Sequence, residues 1–442
     1  MGKIIAYYLA LCLLLFTDVH AQQLYALDFG NGKTASGYQQ VNALTKYTNE
    51  KGYGFDLNSQ PVAIDRKGTN PLTSDFCTSN APFFFSIALP EGNYRVSITL
   101  GDDWQPAETT IKAESRQLIS KNIITKAGEH ITIHFAVNVR DSMIESGRPI
   151  KLKHDEHDKL DWDNKLTLEF SGARPCVDAI TIERDENIPT IFLAGNSTVT
   201  DQGVEPWASW GQMFPYFIKP GAAAIANYAV SGSTLKAFIA ERRLEKISRL
   251  MKPGDYLFVE FAHNDQKPGP NHVDPYTSYN EYLRIFIDSA RAHGAIPVLV
   301  TSTCRRFFDS TGHIMPTLGD YPDAMQYEAR KDHVLLIDLN DMTRTLYETL
   351  GQENSKQLFV QYPAGTFPDQ EKALTDNTHF NDFGAFELAK CVAWYIIQHQ
   401  LPLKKYIDEE KIGNFSPTHP DDFKKWDLPL TPLFTTAKPA GS

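Results

Sequence analysis

The chain has 442 residues, more than one hydrophobic core usually supports, so two domains are expected. Its composition, 42% hydrophobic and 22% charged, is that of a globular protein and excludes a disordered or fibrous one. A formal net charge of -11, with no long Lys/Arg block, argues against a nucleic-acid partner and for a neutral or weakly charged substrate.

Met1-Gly2-Lys3, the apolar run Ile4 to Phe16 and the small-residue exit Val19-His20-Ala21 form the three parts of a secretory signal peptide, with cleavage expected after Ala21. The apolar run is too short to span a bilayer comfortably, so the expectation is a secreted or periplasmic protein with no stable membrane insertion. Export permits a Cys77–Cys176 bridge, but four mature cysteines are too few for a disulfide scaffold. Buried free thiols are the simpler reading of Cys77, Cys176, Cys304 and Cys391.

From Gln22 to about Arg184, short β-rich runs alternate with turn residues: Leu24–Phe29, Phe83–Leu89, Tyr94–Leu100, Thr109–Ala113, Ile131–Val139, Lys165–Phe170 and Ala179–Glu183. Many short strands with little helical periodicity predict an antiparallel β-sandwich over residues 22–186. His154-Asp155-Glu156-His157-Asp158 contains metal-ligand types, yet a charged run of this kind reads more simply as a solvated loop. The polar segment Asp185 to Pro189 then marks a boundary.

Beyond it the pattern changes. Apolar runs Thr190–Leu193, Ala224–Ala229, Tyr256–Phe261, Ile296–Thr301 and Val334–Leu339 alternate with helical segments such as Thr277–His293 and Asp382–His399. Continuous apolar strands between amphipathic helices predict a parallel sheet covered on both faces, with chemistry at the carboxyl ends of its strands. This α/β domain is expected over residues 187–404, followed by a Pro-rich, charged tail over 405–442 with no pattern of its own.

Four segments place a reactive or hydrogen-bonding group just after a predicted strand or before a helix. Ser197 follows a strand that breaks on Gly195. Gly232 follows the second strand, where the missing side chain lets a backbone N–H approach a carbonyl. Asn264 follows the third and offers an amide. Asp376-Asn377-Thr378-His379 precedes the last helix, with the carboxylate within reach of the imidazole. Leu388, Cys391, Val392, Tyr395 and Ile396 give that helix an apolar stripe that docks it on the sheet.

The ordered set Gly195 to Val199, His263 to Lys267, Arg305 to Asp309, Gly319 to Ala324, Leu336 to Leu339 and Asp376 to Phe380 resembles the SGNH (GDSL-like) hydrolases. Within that superfamily it is most similar to the rhamnogalacturonan acetylesterases, family 12 of the carbohydrate esterases. The resemblance implies a three-layer α/β/α flavodoxin-like domain behind the sandwich. It implies Ser197 as nucleophile, His379 as general base and then acid, and Asp376 as its orienting partner. The oxyanion hole would comprise the Ser197 and Gly232 backbone N–H groups and the Asn264 side chain. No metal or organic cofactor is implied, and the partner is an acetylated polysaccharide or oligosaccharide. Two positions depart from the usual family wording: Asn196 stands where aspartate is usual, and Ala262 where glycine is usual.

Further residues carry double readings. Arg305 and Arg306 follow the fourth strand and suit either uronic-acid carboxylates or structural ion pairs. Tyr321, Trp207 and Trp210 suit either sugar stacking or the core. The sandwich weakly resembles galactose-binding-like modules, through Leu27 to Gly30 and Pro90 to Tyr94, and either binds glycan or shapes the cleft. Three functional classes stand open: an acetylesterase on pectic rhamnogalacturonan, xylan or another glycan; a lipase or thioesterase; and a disabled hydrolase that only binds glycan.

Overall fold

The computed structural model describes residues 22–440. The expected signal peptide lies outside the described residues. Among those described, no helix is long and apolar enough to cross a membrane.

The amino-terminal half is a two-sheet sandwich. One sheet runs in the order Glu129–Val139, Gly92–Asp102, Cys176–Arg184, Gln22–Phe29 and Gln39–Val41, with Asp75–Thr78 and Val62–Asp65 attached to it. The other runs Tyr53–Asp56, Phe83–Ala88, Lys165–Arg174, Ala107–Ala113 and Gln117–Thr125. The period-2 pattern decides the faces: Tyr94, Val96, Ile98 and Leu100 turn inward, while Arg95, Ser97 and Thr99 between them face outward. The inward set packs with Phe83, Phe85, Ile87, Leu166, Leu168 and Phe170 of the opposite sheet in one core. Cys77, Cys176, Cys304 and Cys391 are all buried free thiols, so no bridge joins Cys77 to Cys176.

The second half is a five-stranded parallel sheet in the order Ala224–Asn227, Thr190–Gly195, Tyr256–Glu260, Ile296–Val300, Leu335–Ile337. Alternate residues of the Thr190–Gly195 strand serve two cores. Ile191 and Leu193 join the side carrying Leu339, Met342, Leu346 and the helix Asp382–Gln398. Phe192 and Ala194 join the side of helices Ser278–Ala292 and Tyr321–Lys331. Both faces are therefore covered, which is why these strands read as unbroken apolar runs. The order is that of a flavodoxin-like α/β/α domain.

Two expectations need correction. The charged run at residues 154–158 is not simply a solvated loop: Glu156 is buried and paired with the buried Arg243 guanidinium, because a buried cation needs a carboxylate partner. The final segment, expected as a charged, Pro-rich tail with no pattern of its own, packs onto the hydrolase domain. Ile407, Ile412, Phe415 and Leu428 enter the core beneath the Asp382–Gln398 helix, which is consequently buried well beyond its apolar stripe. Further on, Lys112 Nζ of the sandwich donates to Pro429 O and Thr431 Oγ1, both at 2.8 Å, and fastens this segment across both halves.

Candidate active site

The Thr190–Gly195 strand ends in a tight turn that delivers Ser197 to the carboxyl edge of the sheet. A Cβ on Gly195 would come within 2.6 Å of Val199 Cγ2, so only glycine lets the turn fold back this closely. Asn196 fastens the turn: its Oδ1 accepts from the Thr198 N–H at 3.1 Å and from Thr198 Oγ1 at 3.0 Å. An amide thus supplies the acceptor that the usual aspartate would provide. Behind it, Glu260 lies 2.8 Å from Thr198 Oγ1, whose single proton Asn196 and Glu260 share, and accepts from Trp210 Nε1 at 2.6 Å. Complete burial raises the Glu260 carboxyl to about 7 despite these donors.

Asp376 and His379 lie on the strand Leu374–Phe380, which pairs with Phe359–Tyr362 in a two-stranded ribbon, rather than on a bare turn. His379 Nε2 stands 2.9 Å from Ser197 Oγ, and His379 Nδ1 stands 2.9 Å from Asp376 Oδ2. The other carboxylate oxygen of Asp376 accepts from the Thr378 and His379 N–H groups at 2.6 and 2.9 Å. Burial opposes the Asp376 charge, but its bond to His379, that ring's charge and these two N–H donors hold its carboxyl down at about 2. The carboxylate is therefore ionised at neutral pH, and it fixes the tautomer that leaves Nε2 facing the serine.

Gly232 adopts φ +75°, a left-handed conformation suited to glycine, in the loop that follows Ala224–Asn227. Asn264 Nδ2 donates to Ser233 O at 3.0 Å, which orients the amide beside that loop. The two residues line a cavity of about 300 Å³ together with Lys153, Thr234, Lys267 and Ala440. Next to Asn264, the His263 ring is buried, and desolvation together with the Arg305 and His379 charges pushes its pKa well below the usual value.

The remaining sequence candidates separate. Arg306 grips the segment between Asp376 and His379: its Nε donates to Asn377 Oδ1 at 3.0 Å, its Nη1 to Gln352 O at 2.8 Å, and its backbone N–H to Asn377 O at 2.8 Å. Arg305 donates to His263 O at 3.2 Å and Thr317 O at 3.4 Å, and burial lowers its pKa. Tyr321 is not a sugar platform; it is buried and its hydroxyl donates to Val273 O at 2.5 Å. Trp210 is equally buried, held by Glu260. Trp207 is only 2% exposed and meets the His379 ring edge-on at 5.8 Å, so it packs the imidazole rather than presenting an open face.

Two residues at this site carry no local sequence signal. Arg116, from the sandwich, donates to Trp207 O at 2.8 Å and pairs with Asp382 at 2.9 Å. Lys438, near the end of the described chain, lies 3.2 Å from Asp376 Oδ2. Among the described residues, no cluster of three or more His, Cys, Asp or Glu side chains could hold a metal ion.

The arrangement has the parts of an acyl-transfer site: a hydroxyl on an imidazole, the imidazole on a buried carboxylate, and amide donors beside a cavity. The pattern of the GDSL-like Lipase/Acylhydrolase family matches residues 193–385, and that of the beta-agarase/YXIM esterase-like, galactose-binding-domain-like family matches residues 25–146. Rhamnogalacturonan acetylesterase RhgT of Bacillus subtilis is 44% identical over 219 residues, which cover 49% of this chain and 93% of that protein. The uncharacterized esterase YxiM of the same organism is 27% identical over 405 residues, covering 88% of this chain and 95% of that one. The X-ray structure of the YXIM protein from Bacillus subtilis aligns over 86% of this chain and 99% of its own, at 26% identity and a TM-score of 0.45. The chain is an esterase that belongs to the GDSL-like lipase/acylhydrolase family, with a galactose-binding-like domain ahead of its hydrolase fold.

Proposed function

We propose that this protein is a carbohydrate O-acetylesterase that removes acetyl groups from pectic rhamnogalacturonan, with Ser197, His379 and Asp376 as its triad. The observation that carries the chemistry is the continuous line from Asp376 Oδ2 through His379 to Ser197 Oγ, with both bonds at 2.9 Å. Support for the substrate is the 44% identity to a rhamnogalacturonan acetylesterase over nearly all of that relative's length.

In this reading His379 Nε2 takes the Ser197 proton as Oγ attacks the acetyl carbonyl. The tetrahedral oxyanion is met by the Ser197 and Gly232 N–H groups and Asn264 Nδ2. Collapse breaks the C–O bond to the sugar, and His379 returns the proton to the leaving hydroxyl. Water then attacks the acetyl-serine, with His379 as base and Ser197 as leaving group, and acetate departs. The cavity beside Gly232 and Asn264, of about 300 Å³ and bordered by Lys153, Thr234 and Lys267, suits a short acyl group on a sugar better than the long chains of a lipase. The expected signal peptide makes this an exported enzyme that meets polymers outside the cytoplasm. The sandwich, over residues 22–186, serves chiefly to shape the hydrolase domain.

Acetate release from acetylated rhamnogalacturonan, measured in parallel with acetylated xylan, tests the assignment. A kcat/KM at least tenfold higher on rhamnogalacturonan agrees with it. Preference for xylan would make the protein an acetylxylan esterase, and release from neither, with the protein folded, would favour a glycan-binding role.

A further inference from the structure

The carboxyl-terminal segment reaches the triad. Thr431 is anchored first, its N–H on Glu205 Oε1 at 3.0 Å and its hydroxyl on Glu169 Oε2 at 2.6 Å. Beyond it the chain pairs with the loop that carries Trp207. The Glu205 N–H donates to Leu433 O at 2.7 Å, the Thr435 N–H to Glu205 O at 2.8 Å, and Trp207 Nε1 to Thr435 O at 3.2 Å. The Phe434 ring meets the Phe367 ring at 5.5 Å. The strap then delivers Lys438 to Asp376 and Ala440 to the cavity shared with Gly232 and Asn264.

Lys438 Nζ and His379 Nδ1 address the same oxygen, Asp376 Oδ2, at 3.2 and 2.9 Å, so the ammonium lies within about 6 Å of the imidazole. We propose that Lys438 is a positioning residue of the hydrolytic site: the strap uses it to hold the Asp376 carboxylate and to set the basicity of His379. The inference rests on the triad reading given above.

A carboxylate alone favours the imidazolium, and a cation on that same carboxylate opposes it. The other groups facing His379 do not substitute for Lys438. Ser197 is neutral, Trp207 presents a ring edge, and the His263 imidazole is kept uncharged by burial. Arg305 and Lys267 stand beyond His263, and Lys267 itself feels the Arg305 and Lys438 charges. The Lys438 ammonium on Asp376 Oδ2 thus offsets part of the pull that this carboxylate exerts on a proton at His379. Because the Lys438 side chain is 49% exposed, the effect is screened and of modest size.

The test compares pH profiles of kcat/KM for 4-nitrophenyl acetate, from pH 5 to 9, for the full chain and its Lys438→Met, Lys438→Arg and Ser197→Ala variants. Lys438→Met is expected to move the acid limb upward by about half to one pH unit. Its kcat/KM would fall roughly three- to tenfold below the wild type on that limb and converge with it above about pH 8. Lys438→Arg is expected to restore the wild-type profile, and added salt to shrink the shift. Superimposed profiles, a shift to lower pH, or a uniform loss without a shift would overturn the proposal while leaving the triad standing. If Ser197→Ala hydrolyses the ester as the wild type does, the triad reading fails and the proposal falls with it.

Discussion

Arg116, in the sandwich, pairs at 2.9 Å with Asp382, the residue that opens the helix directly after His379. Arg116 lies in a hairpin between Ala107–Ala113 and Gln117–Thr125, with φ +66°. Its guanidinium also meets Glu205 at 2.5 Å and donates to Gln202 O and Trp207 O at 3.1 and 2.8 Å. One cation of the first domain thereby fixes both the helix behind the imidazole and the tryptophan packed against it.

Arg116→Met strands two buried carboxylates and two carbonyls. Removing one side of a buried charge network typically costs about 3–5 kcal/mol. Urea denaturation is expected to show a loss of that order, and kcat on 4-nitrophenyl acetate to fall at least tenfold at temperatures where the variant is still folded. An unchanged kcat would mean that the sandwich supports stability without positioning the site.

Asn264→Ala removes an amide donor that would meet charge only in the tetrahedral intermediate. The loss of one such donor costs about 10²–10³ in kcat. KM is expected to change little, so the measurement is the kcat-against-KM split on an acetyl ester. A rise in KM at constant kcat would move Asn264 to ground-state binding.

The two adjacent arginines are expected to behave differently. Arg306 holds Asn377, between Asp376 and His379 on that strand, so Arg306→Met should displace His379 and lower kcat on any ester by tenfold or more. Arg305 faces the carbonyls of His263 and Thr317, so Arg305→Met should lower activity on an acidic glycan more than on 4-nitrophenyl acetate. Steady-state rates on both substrates check the contrast.

Glu260 supplies a pH dependence of stability. Burial raises its carboxyl to about 7 in the folded protein, so the native state keeps a proton that the unfolded chain releases above its ordinary value of 4.5. Its contribution is complete below about pH 4.5 and is lost as pH rises to about 7. Glu260→Gln keeps the acceptor for Trp210 and abolishes the titration. Denaturation at pH 5 and pH 8 should show the variant gaining about 1–3 kcal/mol on the wild type across that interval. An equal pH response in both proteins would show that Glu260 is ionised in the fold throughout.

Much of this was legible in the sequence because it is written in short-range patterns. The parallel strands are unbroken apolar runs, since helices cover both their faces, and Asp376 signals His379 because the two are three residues apart on one strand. The strands Tyr53–Asp56, Val62–Asp65, Asp75–Thr78 and Gln117–Thr125 escaped notice; three are only four residues long, and Gln117–Thr125 mixes polar and apolar residues without clean alternation. Arg116 and Lys438 could not be read as site residues at all. Each reaches the site only through long-range folding, Arg116 from a hairpin onto Asp382 and Lys438 from a Pro-rich segment without periodicity onto Asp376. The aromatic candidates misled for the opposite reason: ring size predicts burial as readily as sugar stacking, and Tyr321 and Trp210 are buried with their polar atoms bonded inside the fold.

The most direct test of the central claim is covalent labelling of the active full-length protein with diethyl 4-nitrophenyl phosphate, followed by intact mass and peptide mapping. A single diethylphosphoryl adduct on Ser197 is expected, formed in step with loss of acetylesterase activity and absent from His379→Ala. Complete inactivation with Ser197 unmodified, or acetate release that survives Ser197→Ala, would contradict the account.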